Sequence, residues 1–138
     1  SEYGPDAEET KIRIPKSARR GITDEFEDAE SAYDALNWLA TTFVDTKRGE
    51  ERCPDLDLSC RRASGFSYTA HQEDTTMGEY PEDYYLRWNG EKRALERHLG
   101  KGSSKDPRAT LRIAFFYDVD REEAIIGYVG QHQRTRAT

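Results

Sequence analysis

The sequence contains no long hydrophobic run and has little of the apolar residue content that builds a large core. Hydrophobic residues make up 35% of its 138 residues, less than is usual for a globular domain. No stretch approaches the roughly 18 apolar residues that a membrane helix needs. The first ten residues, SEYGPDAEET, are acidic, whereas a signal peptide begins basic and then turns apolar. We therefore expect a soluble, cytoplasmic domain with a thin core and no membrane contact.

Cysteine is also scarce. Cys53 and Cys60 are the only two cysteines, and their C-x6-C spacing lacks the short C-x2–4-C step of a zinc site. Two free thiols fit this spacing best. A disulfide, or a metal site shared with His71, remains an alternative. The sequence predicts no cofactor.

The motifs of several large enzyme classes are missing. The sequence contains no H-E-x-x-H, no G-x-S-x-G, no P-loop and no Rossmann glycine pattern. Motifs therefore give no support to a zinc hydrolase, a serine hydrolase or a dinucleotide-dependent enzyme.

The net charge of −6 conceals a division along the chain. Residues 1–83 carry 10 Lys+Arg against 20 Asp+Glu, whereas residues 84–138 carry 11 against 7. An acidic chain does not coat nucleic acid non-specifically, but its C-terminal third is basic enough to present a local patch to a polyanion.

One amphipathic helix is predicted over about residues 24–43. Thr23 or Asp24 is suited to cap it, and acidic residues crowd its first turns, where the helix dipole favours them. Apolar residues recur at steps of three and four and form one face, namely Phe26, Ala29, Tyr33, Leu36, Ala40 and Phe43. We expect this face to lie on a β-sheet.

The last third of the chain predicts two β-hairpins. Residues 84–88, YYLRW, alternate and lead into Asn89-Gly90, the pair that a type I′ turn prefers. The return segment, residues 91–99, fits a strand better than a short helix. The second hairpin, residues 110–118 and 124–132, carries apolar residues on both faces and is therefore predicted to lie at the sheet centre. Its last strand is expected to place five residues on one face, namely Ala124, Ile126, Tyr128, Gly130 and His132.

These elements predict a single α+β domain over residues 22–138, in which one N-terminal amphipathic helix packs on an antiparallel sheet built from C-terminal β-hairpins. Residues 1–21 are expected to be mostly flexible, because Pro15 ends any strand there. Residues 45–83 lack periodicity and are expected to form a long irregular connection with one or two short strands.

Residue types that cleave RNA without a metal are concentrated in the C-terminal third. Such cleavage needs a base, an acid and a cation at the phosphate. The candidate catalytic residues are His98, Arg112, Tyr128 and His132. The turn GKGSSKDPR offers backbone N–H groups and adds three candidate nucleic-acid-binding residues, Lys101, Lys105 and Arg108.

A resemblance to a family of uncharacterised bacterial proteins rests on two segments, YYLRWNGEKRALERHLGKGSSKDPR and TLRIAFFYDVDREEAIIGYVGQHQRTRAT. The features that resemble the family are the HLGKG turn, the R-I-aromatic-aromatic strand and the terminal IGY-x-G-x-H, although Gln133 stands where an apolar residue is expected. The resemblance covers about residues 84–138. It implies an α+β fold and a place among small toxin or phage-defence proteins, and it identifies no reaction.

Two functions fit these observations. The first is a small bacterial toxin-like or defence-associated domain that contacts RNA or DNA and acts as a metal-independent ribonuclease. The alternative is a non-enzymatic protein-binding module that docks a basic partner through its acidic N-terminal half, above all through residues 73–83. Whether the chain is an enzyme stays open, and the proximity of His98, Arg112 and His132 in space would bear most directly on it.

Overall fold

The computed structural model describes residues 11–20, 26–71, 78, 80–102, 106 and 108–131. They form a mixed α+β fold in which one face of a sheet carries helices and the opposite face carries a β-hairpin. None of the helices in this part of the chain is long and apolar enough to cross a membrane.

The helical layer begins with α1, Ala29–Trp38, which continues through a π-helical turn, Leu39–Phe43, into α2, Val44–Arg48. Asp28 caps α1, because its carboxylate accepts a hydrogen bond from the Ser31 backbone N–H at 3.0 Å. Gly49 ends α2 with a left-handed φ of 81°. The helix therefore starts and ends about five residues later than the range of residues 24–43 predicts, and the expected caps at positions 23 and 24 lie outside the described residues.

The predicted apolar face is confirmed in part, because Phe43 is fully buried and Leu36 packs against the core. Ala35 and Leu39 are fully buried, whereas Tyr33 is 69% exposed. The reason is that α1 packs closely against a second helix through small side chains, Ser31 among them, and a stripe chosen from large apolar residues does not reveal such a face. Phe26, at the start of the predicted stripe, is buried in the core.

The second helix, α3, spans Leu56–Ser64 within the region expected to be irregular. Asp55 caps it by accepting a hydrogen bond from the Leu58 backbone N–H at 3.0 Å. The α3 helix joins α1 through a hydrogen bond from the Ser31 hydroxyl to the Ser64 carbonyl. Residues 45–83 thus include α2 and α3, and also strand β3, Ser67–Thr69, and a short helix α4, Pro81–Tyr84.

The main sheet is mixed rather than antiparallel. Its other strands are β1 (Ile12–Arg13), β2 (Arg19–Arg20), β6 (Arg97–Lys101), β7 (Leu111–Asp118) and β8 (Glu123–Gly130). The order is β1-β8-β7-β6-β3, and β2 also pairs with β8. Both N-terminal strands run parallel to β8 and cover its outer edge, which would otherwise leave backbone groups unpaired.

The two remaining strands form a separate two-stranded sheet. They are β4, Tyr85–Trp88, and β5, Glu91–Ala94, joined at Asn89-Gly90, where both residues have positive φ. The hairpin covers one face of the main sheet, which we call the hairpin face; the other is the helix face. Residues 91–99 therefore supply two strands, β5 and the start of β6, that belong to different sheets.

A bulge in β8 decides which residues reach each face. Phe115 pairs with Ile126 and Ala114 pairs with Tyr128, so Gly127 is the extra residue. Ile126 belongs to the core under the helices, whereas Tyr128 belongs to the cluster under the hairpin. The predicted single face shared by Ile126 and Tyr128 is therefore not formed.

Asp118 attaches the hairpin to the turn after β7. Its carboxylate accepts hydrogen bonds from Trp88 Nε1 at 2.7 Å and from the backbone N–H groups of Asp120 at 3.0 Å and Arg121 at 3.2 Å. Burial raises the pKa of this carboxyl, but the hydrogen bonds outweigh burial, and the pKa lies below its ordinary value.

We expect Asp118 to make the protein sensitive to acid. Because the pKa is lower in the folded state than in the unfolded state, the stabilisation is present above the unfolded value, about pH 4, and is lost as the pH falls through the folded value. Asp118→Asn should lower the free energy of unfolding at neutral pH and weaken its decline between about pH 5 and pH 3. Urea unfolding across this range measures both effects. The same decline in variant and wild type would contradict the role given to Asp118.

Candidate anion-binding site

Three of the four predicted catalytic residues lie on the hairpin face. His98 on β6 is opposite Ala114 on β7, and Ala114 is opposite Tyr128 on β8. Residues directly opposite each other in antiparallel strands project to the same face. His98 and Tyr128 are therefore two strands apart, about 10 Å between backbones, on either side of Ala114.

Arg112 lies in the next row of the same face, between two glycines. It is paired with Gly100 on β6 and with Gly130 on β8. A Cβ atom placed on Gly100 would lie 3.8 Å from Arg112 Nε and 3.8 Å from His98 Cδ2, so both side chains lie close to Gly100. The absence of a side chain at Gly100 leaves room there for the guanidinium of Arg112.

The guanidinium of Arg112 is a cation in a largely buried position. Burial lowers its pKa, and the nearby phenols of Tyr84 and Tyr128 partly oppose that effect. No carboxylate of the described residues acts on its pKa, and its Nε atom is buried without a hydrogen-bond partner among them. A buried charge without a counter-charge is costly, and such groups are concentrated at functional sites.

Arg97 provides a comparison within the same protein. Its Nε atom is also buried without a partner, but the residue lies on the helix face. There its Nη1 atom donates a hydrogen bond to the Tyr68 hydroxyl at 2.8 Å, and its guanidinium is 5.7 Å from the centre of the Phe43 ring. These contacts explain Arg97 as a packing residue. The described part of the chain shows no such contacts for Arg112.

Two tyrosines supply hydroxyl groups near Arg112. Burial raises the pKa of Tyr84 to about 12, although Arg112 opposes the shift, so this phenol is protonated at neutral pH. Tyr128 is 6% exposed, and its hydroxyl donates a hydrogen bond to the Gln131 carbonyl at 2.8 Å. The group around Arg112 therefore includes a cation and the protonated phenol of Tyr84, groups whose chemistry is suited to an anion.

The predicted nucleic-acid-binding lysine and arginine lie elsewhere. Lys101 is on the helix face, where its Nζ atom is 2.9 Å from Asp28 Oδ2 and 2.8 Å from Ser31 Oγ, so it ties β6 to the start of α1. Arg108 is exposed and contacts both carboxylate oxygens of Asp106 at 3.2 Å. The structure does not bring Lys101 to the same face as Arg112. Positions 105 and 132, which hold the other two candidates, lie outside the described residues.

Tyr84 is a residue of the site that the sequence did not reveal. Alternation over residues 84–88 assigns it to a strand with Leu86 and Trp88, whereas the structure places it at the end of α4. The sequence does contain one indication of this helix, namely Pro81, because proline is favoured in the first turn of a helix. A helix of four residues is too short to show periodicity, so only the position of the proline indicated it.

The cysteines take no part in this site. Cys53 and Cys60 are both free, and burial raises the pKa of Cys60 to about 11, which keeps it a thiol at neutral pH. Within the described ranges, no group of three or more His, Cys, Asp or Glu side chains is arranged to hold a metal ion.

Comparison of the chain with protein-family models, with curated proteins and with solved structures gives no match. The resemblance to a bacterial family therefore stays a prediction. A fold alone does not specify an activity. The residues around Arg112 are therefore the basis for a functional proposal.

Proposed function

We propose that the chain binds a phosphodiester of RNA at Arg112 and cleaves it without a metal ion. The observation that carries the proposal is the guanidinium of Arg112, held between Gly100 and Gly130 without a carboxylate partner among the described residues. An RNA phosphate would supply a negative charge that the described residues do not bring to Arg112. It would also meet His98 and Tyr128, one on each side, where a base and an acid are needed.

In the proposed reaction His98 accepts the proton of the RNA 2′-hydroxyl, and the 2′-oxygen attacks the adjacent phosphorus. The bond from phosphorus to the 5′-oxygen breaks, and Tyr128 donates its proton to that oxygen. The products are a 2′,3′-cyclic phosphate and a free 5′-hydroxyl. Arg112 stabilises the charge that develops on the non-bridging oxygens. His98 gains one proton and Tyr128 loses one, and exchange with water restores both.

A ribonuclease of this kind fits the toxin-like or defence-associated role that the family resemblance implies, because cleavage of cellular RNA stops growth. The alternative of a protein-binding module depends on residues 73–83, most of which lie outside the described residues. No feature around Arg112 favours that alternative.

Cleavage of single-stranded RNA in the presence of EDTA is the expected activity. We expect His98→Ala to lower kcat by about 10²- to 10⁴-fold, because the variant has no base for the 2′-hydroxyl. Gel analysis of a labelled oligonucleotide measures the effect.

His71→Ala is the matched control, because His71 is the other histidine of the described residues and is exposed. It should cleave like the wild type, and thermal unfolding should show that both variants are folded. Replacing the 2′-hydroxyl at the cleaved position with hydrogen should abolish cleavage. Persistent cleavage of that deoxy substrate, or full activity of His98→Ala, would rule out the proposed reaction.

A further inference from the structure

The β4–β5 hairpin carries an aromatic ring and two cations on its outer side. Tyr85 is paired with Ala94, and Arg87 is paired with Lys92. These four residues point away from the main sheet, because Leu86 between them is 3% exposed and packs onto it. The only carboxylate of the two strands, that of Glu91, belongs to the inner side with Trp88. The outer side is therefore positively charged in a chain whose net charge is −6.

Tyr85 is half-buried and belongs to neither core cluster. Lys92 is exposed, and its ammonium lies 4.3 Å from the centre of the Tyr85 ring. A cation–π contact at an exposed site is weaker than the stacking of a nucleic-acid base on an aromatic ring. A base can therefore take the place of the ammonium, and the flexible lysine side chain can turn to a neighbouring phosphate.

The outer surface of the hairpin and the Arg112 site are joined along the chain. Tyr84, which acts on the pKa of Arg112, is followed directly by Tyr85. The junction is fixed, because the Leu95 backbone N–H donates a hydrogen bond to the Tyr84 carbonyl at 2.7 Å. A strand whose phosphate lies at Arg112 would pass round this junction to reach Tyr85, since Tyr84 is buried and Tyr85 lies on the outer side of the hairpin.

We propose that the outer side of the β4–β5 hairpin binds a single-stranded segment of RNA. One base stacks on Tyr85, and the flanking phosphates contact Arg87 and Lys92. The inference rests on the proposed function and specifies its substrate class, since a duplex keeps its bases stacked inside the helix and offers none to Tyr85.

The test is fluorescence anisotropy with a labelled 2′-O-methyl oligouridine, which has no free 2′-hydroxyl and is not cleaved. A strand of equal length without bases serves as the second probe. The wild type should bind the oligouridine about tenfold more tightly than the abasic strand, and Tyr85→Ala should remove this preference. The double variant Arg87→Gln with Lys92→Gln should flatten the dependence of log affinity on log salt by about 1.4, at about 0.7 per phosphate contact.

Matched controls are Tyr33→Ala, which removes a tyrosine that is 69% exposed, and Lys16→Gln with Arg62→Gln, which removes two exposed charges elsewhere. Both should bind like the wild type. Unchanged binding by Tyr85→Ala, equal affinity for a duplex, or no binding by the wild type would overturn the inference. If the hairpin variants lose binding but the wild type does not cleave ordinary RNA, only the proposed catalysis is rejected. Cleavage that depends on His98 but not on the hairpin would reject only the hairpin surface.

Discussion

Ile126→Asp is expected to abolish the cooperative unfolding transition of the protein. Ile126 is 0% exposed on β8 and is paired with Phe115 in the core under the helices. An aspartate there is either a buried charge without a partner or a protonated group without its hydrogen bonds. The cost is several kcal/mol, comparable to the total stability of a small domain, about 5–15 kcal/mol. Ile113→Asp should behave in the same way, since Ile113 is 1% exposed.

Circular dichroism during urea or thermal unfolding measures this effect. Val119→Asp is the matched control, because Val119 lies in the turn after β7 and is 73% exposed. It introduces the same charge into the same hairpin and should unfold like the wild type. A cooperative transition of Ile126→Asp near that of Val119→Asp would show that the core is placed incorrectly.

Arg112→Gln is expected to lower kcat for RNA cleavage by about 10²- to 10³-fold, the usual loss when a group that stabilises transition-state charge is removed. The thermal stability of the variant should not fall along with its kcat. No carboxylate of the described residues depends on Arg112, so the substitution leaves no opposite charge unpaired and removes a costly buried cation. Lost activity together with unchanged or increased thermal stability is the signature of a functional cation.

Arg97→Gln is the control for this prediction. It removes a similar guanidinium from the helix face, with its hydrogen bond to the Tyr68 hydroxyl and its contact with the Phe43 ring. It should lower thermal stability and leave cleavage per folded molecule close to that of the wild type. If Arg112→Gln instead destabilises the protein and keeps its activity, Arg112 is a packing residue.

The sequence predicted the elements whose side chains are large and regularly spaced. The strands β7 and β8 carry apolar residues on both faces, and Asn89-Gly90 marks the turn between β4 and β5. The α3 helix gave no such signal, because its buried residues are Cys60 and Ser64, which are small or polar. The parallel strands β1 and β2 are two residues each, too short to show alternation. Their pairing with β8 depends on the edge that β8 leaves open in the folded sheet, which the sequence does not show.

Three residues of the candidate site were chosen from the sequence by chemistry rather than by geometry. Imidazole, guanidinium and phenol are the groups that metal-free RNA cleavage needs, and this requirement selected His98, Arg112 and Tyr128. Simple alternation along β8 puts Tyr128 on the same face as Ile126, opposite to Arg112. Only the bulge at Gly127 brings Tyr128 to the hairpin face, and the sequence did not show where a bulge would occur.

The central claim is that the guanidinium of Arg112 receives a phosphate, and ¹⁵N-resolved NMR of the arginine Nε–H groups tests it most directly. The protein is titrated with the uncleavable 2′-O-methyl oligouridine, and Arg112→Lys and Arg97→Lys identify the two signals. We predict that the Arg112 signal shifts and saturates as the oligonucleotide binds, while the Arg97 signal on the helix face stays in place. An Arg112 signal that does not move while the oligonucleotide binds elsewhere would contradict the claim.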